Sequence, residues 1–369
     1  AFDVIGLAGL DEDRGYVYFT ASPDEPTRRY LYRARLDGAG EVTRVTPADQ
    51  PGAHAYVLAP GARWAFHTLS RFGQPPVMHL VSLPEHAAVR PLVANAPVRA
   101  KLAALTPVRS EFLRIPLPDG TLLDAWCLSP PDFDPAKRYP LLVHVYGEPA
   151  ASLVVDRWTG DNYLWHAMLA QQGYVVVCID NRGTPAPRGR AWRKSIYRQI
   201  GVLAPADQAA AVRELLRSRP YLDPARVGVW GHSGGGSMSL HAIFRHPDLY
   251  KVAMALAFVA HQRLYDTIYQ ERYMGLPSDN AEGYRQGSPL TFADQLQGKL
   301  LLIHGTGDDN CHYQGAEALV NAFITHGKQF RMMSYPNRSH SISEGLNTSV
   351  HLRQLMTDFL HETLPPGPR

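Results

Sequence analysis

The first 100 residues alternate apolar and polar positions in short runs that are separated by turns. A period of two is typical of half-buried β strands. Strands are predicted over residues 16–20, 30–34, 42–45, 55–59, 64–68 and 77–83. The order of strands and turns occurs twice, with a period of about 45 residues that indicates propeller blades. Because a propeller closes only with about four or more blades, either blades lie outside this chain or the region packs differently.

After about residue 106 the pattern changes to continuous apolar runs that alternate with amphipathic stretches. Such runs are typical of parallel strands covered on both faces, and we expect strands over residues 141–146, 175–179, 227–230, 252–257, 300–304 and 331–335. Helices are expected over residues 162–171, 207–218, 234–245, 316–326 and 347–361. The alternation predicts a doubly wound α/β sheet. We therefore expect two domains, with a partial β-propeller of about two blades over residues 1–105 and a mostly parallel sheet over 106–369.

Composition and charge narrow the class of protein. The chain is 45% hydrophobic and 19% charged, which excludes a disordered chain, and its net charge of +3 argues against nucleic acid as a partner. No run of 18 apolar residues occurs, so we expect a soluble chain without a membrane span. The chain starts without Met, and we expect sequence upstream of it. Three widely spaced cysteines exclude a disulfide framework, and they do not decide in which cellular compartment the protein is found.

One serine stands in a pattern typical of a catalytic nucleophile. Residues 231–235 read Gly-His-Ser-Gly-Gly, which fits G-x-S-x-G between a predicted strand and a predicted helix. In that context the serine is held on a sharp turn, with its hydroxyl exposed above the sheet. Ser233 is therefore the candidate nucleophile. The alternative is a glycine-rich turn whose serine only caps the helix.

A serine hydroxyl needs an imidazole to accept its proton and a carboxylate to hold that imidazole in the right tautomer. In α/β-hydrolases the acid and the histidine follow the serine, on loops at the ends of later strands. His340 follows the last predicted strand, and Asp308 and Asp309 follow the strand over 300–304. The spacing does not decide which of the two aspartates is the acid of the triad, because adjacent carboxylates in a turn can also cap the next helix. A loop histidine can equally be an ordinary solvated residue.

Together these residues resemble the prolyl oligopeptidase family of serine peptidases, within it the dipeptidyl peptidase IV branch. The resemblance extends over residues 107–360, and its most specific segments are 138–147, 180–183, 231–236, 265–275 and 304–310. It implies an α/β-hydrolase fold preceded by a β-propeller. It also implies that Ser233 is the nucleophile, Asp308 the acid and His340 the base.

The resemblance further implies an oxyanion hole and a substrate pocket. Tyr146 resembles the family's tyrosine whose hydroxyl joins the backbone N–H of Gly234 in the oxyanion hole, although a buried tyrosine that ends a strand is the plain alternative. Tyr265 and Tyr269 are four residues apart and would share one face of a helix. They resemble the walls of the family's S1 pocket, with Val259 nearby, and the alternative is core packing. Asn310 resembles the side chain that binds the P2 carbonyl, or it is a turn asparagine.

At three positions this sequence has a residue type that differs from the one usual in the dipeptidyl peptidase IV branch. It usually has an aromatic residue at the position of Gly234, often Trp at Gln262 and commonly Val at Cys311. These changes predict a roomier pocket that selects proline less strongly. The paired glutamates that bind a substrate's amino terminus are not found in this sequence.

The expected function is peptide cleavage after Pro or Ala through an acyl-enzyme, and a dipeptidyl aminopeptidase activity in the full-length protein. A carboxylesterase of the same fold is the alternative, since a triad does not separate esters from amides. A third hypothesis is an inactive interaction module. No H-E-x-x-H or complete phosphate loop occurs, so we expect no metal and no cofactor. The resemblance implies a peptide substrate and a homodimer, and it favours the periplasm or secretion without excluding the cytoplasm.

Overall fold

The computed structural model describes residues 2–369, and the chain forms two compact units. The first unit holds residues 2–107 together with Val154–Leu164 and Ala186–Trp192. The second unit holds Val108–Leu153, Trp165–Pro185 and Arg193–Arg369. The sequence-based division after residue 105 assigns the two short segments of the first unit to the second domain.

The first unit contains two antiparallel sheets of four strands each, with sequential strands as neighbours. The first sheet has β1 (Val4–Asp11), β2 (Tyr16–Ala21), β3 (Tyr30–Arg35) and β4 (Thr43–Arg44). The second has β5 (Ala53–Leu58), β6 (Trp64–Arg71), β7 (Gln74–Ser82) and β8 (Ala88–Val93), and α1 (Ala96–Ala103) follows. Propeller blades consist of four-stranded antiparallel sheets of this form. Strand β1 was not predicted, because most of its side chains are exposed and give no clean alternation.

The second unit is built around an eight-stranded sheet. Its strands are β9 (Arg109–Pro116), β10 (Leu122–Ser129), β11 (Tyr139–His144), β12 (Val175–Asp180), β13 (Leu222–His232), β14 (Val252–Leu256), β15 (Lys299–Gly305) and β16 (Arg331–Tyr335). The spatial order is β16-β15-β14-β13-β11-β12-β10-β9. Strands β11 to β16 pair in parallel, and β9 and β10 pair antiparallel at one edge. The doubly wound α/β-hydrolase fold is confirmed.

Helices lie between the parallel strands, and five of them match the predicted helices. The helices are α2 (Asp161–Gln171), α3 (Arg190–Lys194), α4 (Leu203–Ser218), α5 (Gly234–Arg245), α6 (Thr267–Met274), α7 (Ala281–Gln286), α8 (Tyr313–Thr325) and α9 (Thr348–Thr363). Within residues 2–369, no helix has the length and apolar character needed to cross a membrane.

The sheet order brings the ends of three strands together. Strands β11, β12 and β14 are buried along their whole length, which fixes the centre of the sheet. Strands β13, β14, β15 and β16 are consecutive neighbours and parallel, so their carboxyl ends meet at one edge. The loops after β13, β15 and β16 carry Ser233, Asp308 and His340, and all three loops open at that edge.

Candidate active site

Ser233 lies on the sharp turn between β13 and α5. Its backbone has φ of +61° and ψ of −125°, a region that non-glycine residues rarely adopt. The glycines on either side make this turn possible, because a Cβ on Gly231 or on Gly235 would collide with the carbonyl oxygen of Val145. A strained residue of this kind costs about 1–3 kcal/mol and is held by its surroundings. The turn presents the serine hydroxyl beyond the end of the sheet.

The structure brings Ser233, His340 and Asp308 into one hydrogen-bonded chain. The distance from His340 Nε2 to Ser233 Oγ is 2.9 Å, and His340 Nδ1 lies 2.9 Å from Asp308 Oδ2. A ring that donates from Nδ1 to the carboxylate keeps Nε2 free to accept the serine proton. The three residues are therefore arranged for nucleophilic catalysis.

The Asp308 carboxylate is fully enclosed by donors. Its Oδ1 accepts backbone N–H bonds from Asn310 at 3.0 Å and Cys311 at 2.8 Å, and His304 Nε2 lies 3.4 Å from Oδ2. Burial opposes its ionisation, but hydrogen bonds from His304 and His340 hold the pKa of Asp308 well below its usual range. Asp308 is thus a fixed anion beside His340.

A second histidine supports the first. The His232 ring packs against the His340 ring, with centroids 4.7 Å apart, and His232 Nε2 lies 2.7 Å from the carbonyl oxygen of His340. Burial lowers the pKa of His232 to about 4, so the ring is neutral and donates from Nε2. This contact fixes the backbone of the His340 loop. This contact could not be predicted from the sequence, because His232 stands at the variable position of the G-x-S-x-G pattern.

Tyr146 and Gly234 flank the serine, as the resemblance implies. Burial raises the pKa of Tyr146, and so does the nearby Glu148, whereas a hydrogen bond with the Ser233 side chain acts in the opposite direction. The phenol therefore stays protonated and can donate. Gly234 is the first residue of α5, where backbone N–H groups have no partner within the helix. Both groups suit the binding of a negative oxygen.

Tyr265 and Tyr269 contact each other, but not as residues of one helix. Helix α6 begins at Thr267, and Tyr265 precedes it with an extended backbone. Asp266 caps the helix, with its side chain accepting from the N–H of Tyr269 at 2.8 Å. The two rings still meet edge to face, with centroids 5.4 Å apart. The helical interpretation was wrong because the cap lies between the two tyrosines.

Val259 and Asn310 are the remaining residues of the predicted pocket. Val259 is 7% exposed and its backbone N–H and carbonyl bond the Ser237 hydroxyl of α5. Burial raises the pKa of Tyr265 to about 12, while a hydrogen bond with the Asn310 side chain lowers it. Asn310 is exposed on the loop after β15. Asn310 is thus accessible to a ligand and interacts with Tyr265, whereas the Val259 side chain is almost fully covered.

The roomier pocket expected from Gly234 and Gln262 is not what the structure has at these positions. A Cβ on Gly234 would lie 2.8 Å from Cδ of Glu148, so the Glu148 side chain occupies the space beside this glycine. Gln262 is buried, with its amide bonded to the carbonyl of Gly287 and its oxygen to Gln270. Within residues 2–369, no group of three His, Cys, Asp or Glu side chains is placed to hold a metal ion.

The chain is similar to one group of proteins along most of its length. Residues 162–366 match the prolyl oligopeptidase family, and residues 1–76 match the dipeptidyl peptidase IV (DPP IV) N-terminal region. The probable dipeptidyl-aminopeptidase B of Emericella nidulans is 34% identical over 336 residues, which cover 90% of this chain. Dipeptidyl peptidase 8 of Mus musculus is 32% identical over 378 residues, which cover 97% of this chain.

A solved structure is similar over a comparable range. The crystal structure of Porphyromonas gingivalis dipeptidyl peptidase 4 aligns with a TM-score of 0.92 and 36% identity, covering 98% of this chain and 50% of that one. The matches cover only 36% of the Emericella protein and 42% of the mouse protein. The chain thus spans less than half the length of these curated relatives.

Proposed function

Because this chain belongs to the prolyl oligopeptidase family, we propose that it is a serine peptidase that cleaves peptides after Pro or Ala through an acyl-enzyme. One observation carries the proposal: the Ser233 hydroxyl, the His340 ring and the Asp308 carboxylate form an unbroken chain with two 2.9 Å links. We propose further that the full-length protein is a dipeptidyl aminopeptidase. The names of the relatives, which are dipeptidyl peptidases and a dipeptidyl-aminopeptidase, support this step.

The proposed reaction begins with attack by Ser233 Oγ on the carbonyl carbon of the scissile peptide bond, while His340 Nε2 accepts the hydroxyl proton. The tetrahedral intermediate places its negative oxygen between the Tyr146 hydroxyl and the Gly234 N–H. His340 then gives its proton to the leaving amine, and the C–N bond breaks. Water, deprotonated by His340, hydrolyses the acyl-enzyme. Asp308 keeps the ring in the required tautomer throughout.

Substrate recognition is proposed to depend on two tyrosines and a valine near the catalytic serine. Tyr265, Tyr269 and Val259 form the proposed S1 pocket, in which a proline ring or an alanine methyl group packs against flat apolar surface. The Asn310 side chain donates to the P2 carbonyl. The proposed organisation places this site in a hydrolase domain over 106–369, preceded by part of a propeller over 1–105.

The test measures how fast the 369-residue chain turns over three chromogenic substrates. We expect release of p-nitroaniline from Ala-Pro-p-nitroanilide, and a Ser233→Ala variant should lose it. N-acetyl-Ala-Pro-p-nitroanilide tests whether a free amino terminus is required. Turnover of p-nitrophenyl acetate without turnover of either amide would reject the peptidase in favour of an esterase. The proposed homodimer is tested by light scattering during size-exclusion chromatography, where a monomer mass would contradict it.

A further inference from the structure

A buried carboxyl group lies beside the proposed oxyanion hole, and no step above uses it. Glu148 is 5% exposed and its Oε2 accepts a hydrogen bond of 3.0 Å from the Tyr269 hydroxyl. Across residues 2–369, no lysine, arginine or histidine forms an ion pair with this carboxyl. A buried carboxylate without a cationic partner is costly, and such groups exist either neutral or at a functional site.

The carboxyl lies next to Gly234, and Glu148 is close in sequence to Tyr146, so it adjoins both proposed oxyanion donors. Glu148 follows Tyr146 by two residues on the loop after β11. Its Cδ and Oε2 lie 2.8 Å and 2.9 Å from the point where a Cβ on Gly234 would stand. Any side chain at position 234 would therefore displace the carboxyl. Glycine after the serine and glutamate at 148 form one arrangement, which puts an ionisable group between the Tyr146 segment and the start of α5.

Four ionisable groups around the proposed reaction site lie close enough to Glu148 to interact with its charge. They are Tyr146 on its own loop, Tyr265 and Tyr269 around the start of α6, and Cys311 on the loop after β15. Burial raises the pKa of all four, and the Glu148 carboxylate raises it further, since each would have to carry a second negative charge nearby. A substrate oxygen bound by the Tyr146 hydroxyl would feel the same repulsion when it becomes negative.

The protonation state of Glu148 therefore matters in the ordinary pH range. Burial raises its pKa to about 7, and the Tyr269 hydrogen bond, which favours the ionised form, lowers it. Below that pH the carboxyl is neutral, and above it an uncompensated negative charge lies beside the oxyanion hole.

We infer that Glu148 is a titrating positioning residue of the proposed peptidase site: its neutral form permits the oxyanion to develop between Tyr146 and Gly234, and its ionised form opposes it. This inference rests on the proposed function for the existence of the oxyanion. Two like charges roughly 6–8 Å apart, at an effective dielectric constant near 20, change a rate on the order of 30- to 100-fold. The ionised enzyme should be slower by a factor of that order.

The experiment measures two rates between pH 5 and pH 9.5: kcat/KM for Ala-Pro-p-nitroanilide, and covalent labelling of Ser233 by a fluorophosphonate, whose P=O oxygen occupies the same oxyanion site. The wild-type chain should lose activity above about pH 7. Glu148→Gln keeps an acceptor for Tyr269 but cannot ionise, so its rates should not fall in that range. Tyr269→Phe removes a donor to the carboxylate, so the fall should move to higher pH.

Glu271→Gln is the matched control, because Glu271 is an exposed carboxyl on the same helix as Tyr269. It should show the wild-type profile. A fall that persists unchanged in Glu148→Gln, or a wild-type profile without a fall, would overturn the inference. If Glu148→Gln does not fold, the shift in Tyr269→Phe decides. Labelling without amide turnover rejects only the peptidase, and the labelling profile then still tests Glu148. Absence of both turnover and labelling rejects both proposals.

Discussion

Replacing Asp308 and Asp309 one at a time should show which of these two adjacent aspartates is the catalytic acid. Asp308 Oδ2 lies 2.9 Å from His340 Nδ1, whereas Asp309 is exposed on the same loop. Asparagine at 308 keeps the size of the side chain but can present an N–H to the ring. The ring would then carry its proton on Nε2, where it can no longer accept the proton of Ser233.

The expected loss follows from that tautomer change. We expect Asp308→Asn to lower kcat by about 10³- to 10⁴-fold, which corresponds to about 4–5.5 kcal/mol of barrier, with little change in KM. Asp309→Asn should stay within about threefold of wild type. The assay is Ala-Pro-p-nitroanilide turnover together with the rate of fluorophosphonate labelling, and thermal unfolding checks that both variants fold. Equal losses in the two variants, or a larger loss for Asp309→Asn, would rule out Asp308 as the catalytic carboxylate.

Further predictions concern the oxyanion hole, the serine turn and the first unit. Tyr146→Phe removes one oxyanion donor and should lower kcat by about 10²- to 10³-fold with KM nearly unchanged in steady-state kinetics; an unchanged kcat would exclude that role. Gly235→Ala places a methyl group against the carbonyl of Val145. It should destabilise the fold by about 1–3 kcal/mol, seen as a lower thermal midpoint and lost Ser233 labelling. Burial lowers the pKa of His54 to about 4 and that of His67 to about 3. Because unfolded histidine binds its proton near pH 6.5, the first unit should keep full stability above that pH and lose up to about 3 kcal/mol for each of the two histidines as the pH falls toward 4. Urea unfolding at several pH values measures the change, and a pH-independent midpoint would contradict it.

The parallel strands could be predicted from the sequence because their burial is continuous. Strands β11 and β12 are buried at every position, and their apolar runs have few other interpretations. The antiparallel edge was missed for two different reasons. Most side chains of β9 are exposed, and the buried strand β10 includes Asp124, which pairs with Arg114 at 3.1 Å. Helix α6 buries only Gln270 and Met274, so it has no apolar stripe to predict it.

The residues of the candidate site likewise include some that could be predicted from the sequence and some that could not. Ser233 could be found because the backbone of its turn requires glycines at fixed positions, which leaves a local pattern. Asp308 and His340 could be placed after particular strands, but the choice between neighbouring aspartates needed the resemblance. Glu148 could not be found, because its contacts with Gly234 and Tyr269 join segments far apart in the chain. Only folding brings such residues together.

The central claim is that Ser233 is a nucleophile activated by His340 and Asp308. Its most direct test is mass spectrometry of the 369-residue chain after reaction with a fluorophosphonate. We expect one phosphonyl group per chain, located on the peptide that contains Ser233, and no adduct in His340→Ala under the same conditions. A chain that takes up no label, or carries it on another residue, would rule out Ser233 as the activated nucleophile.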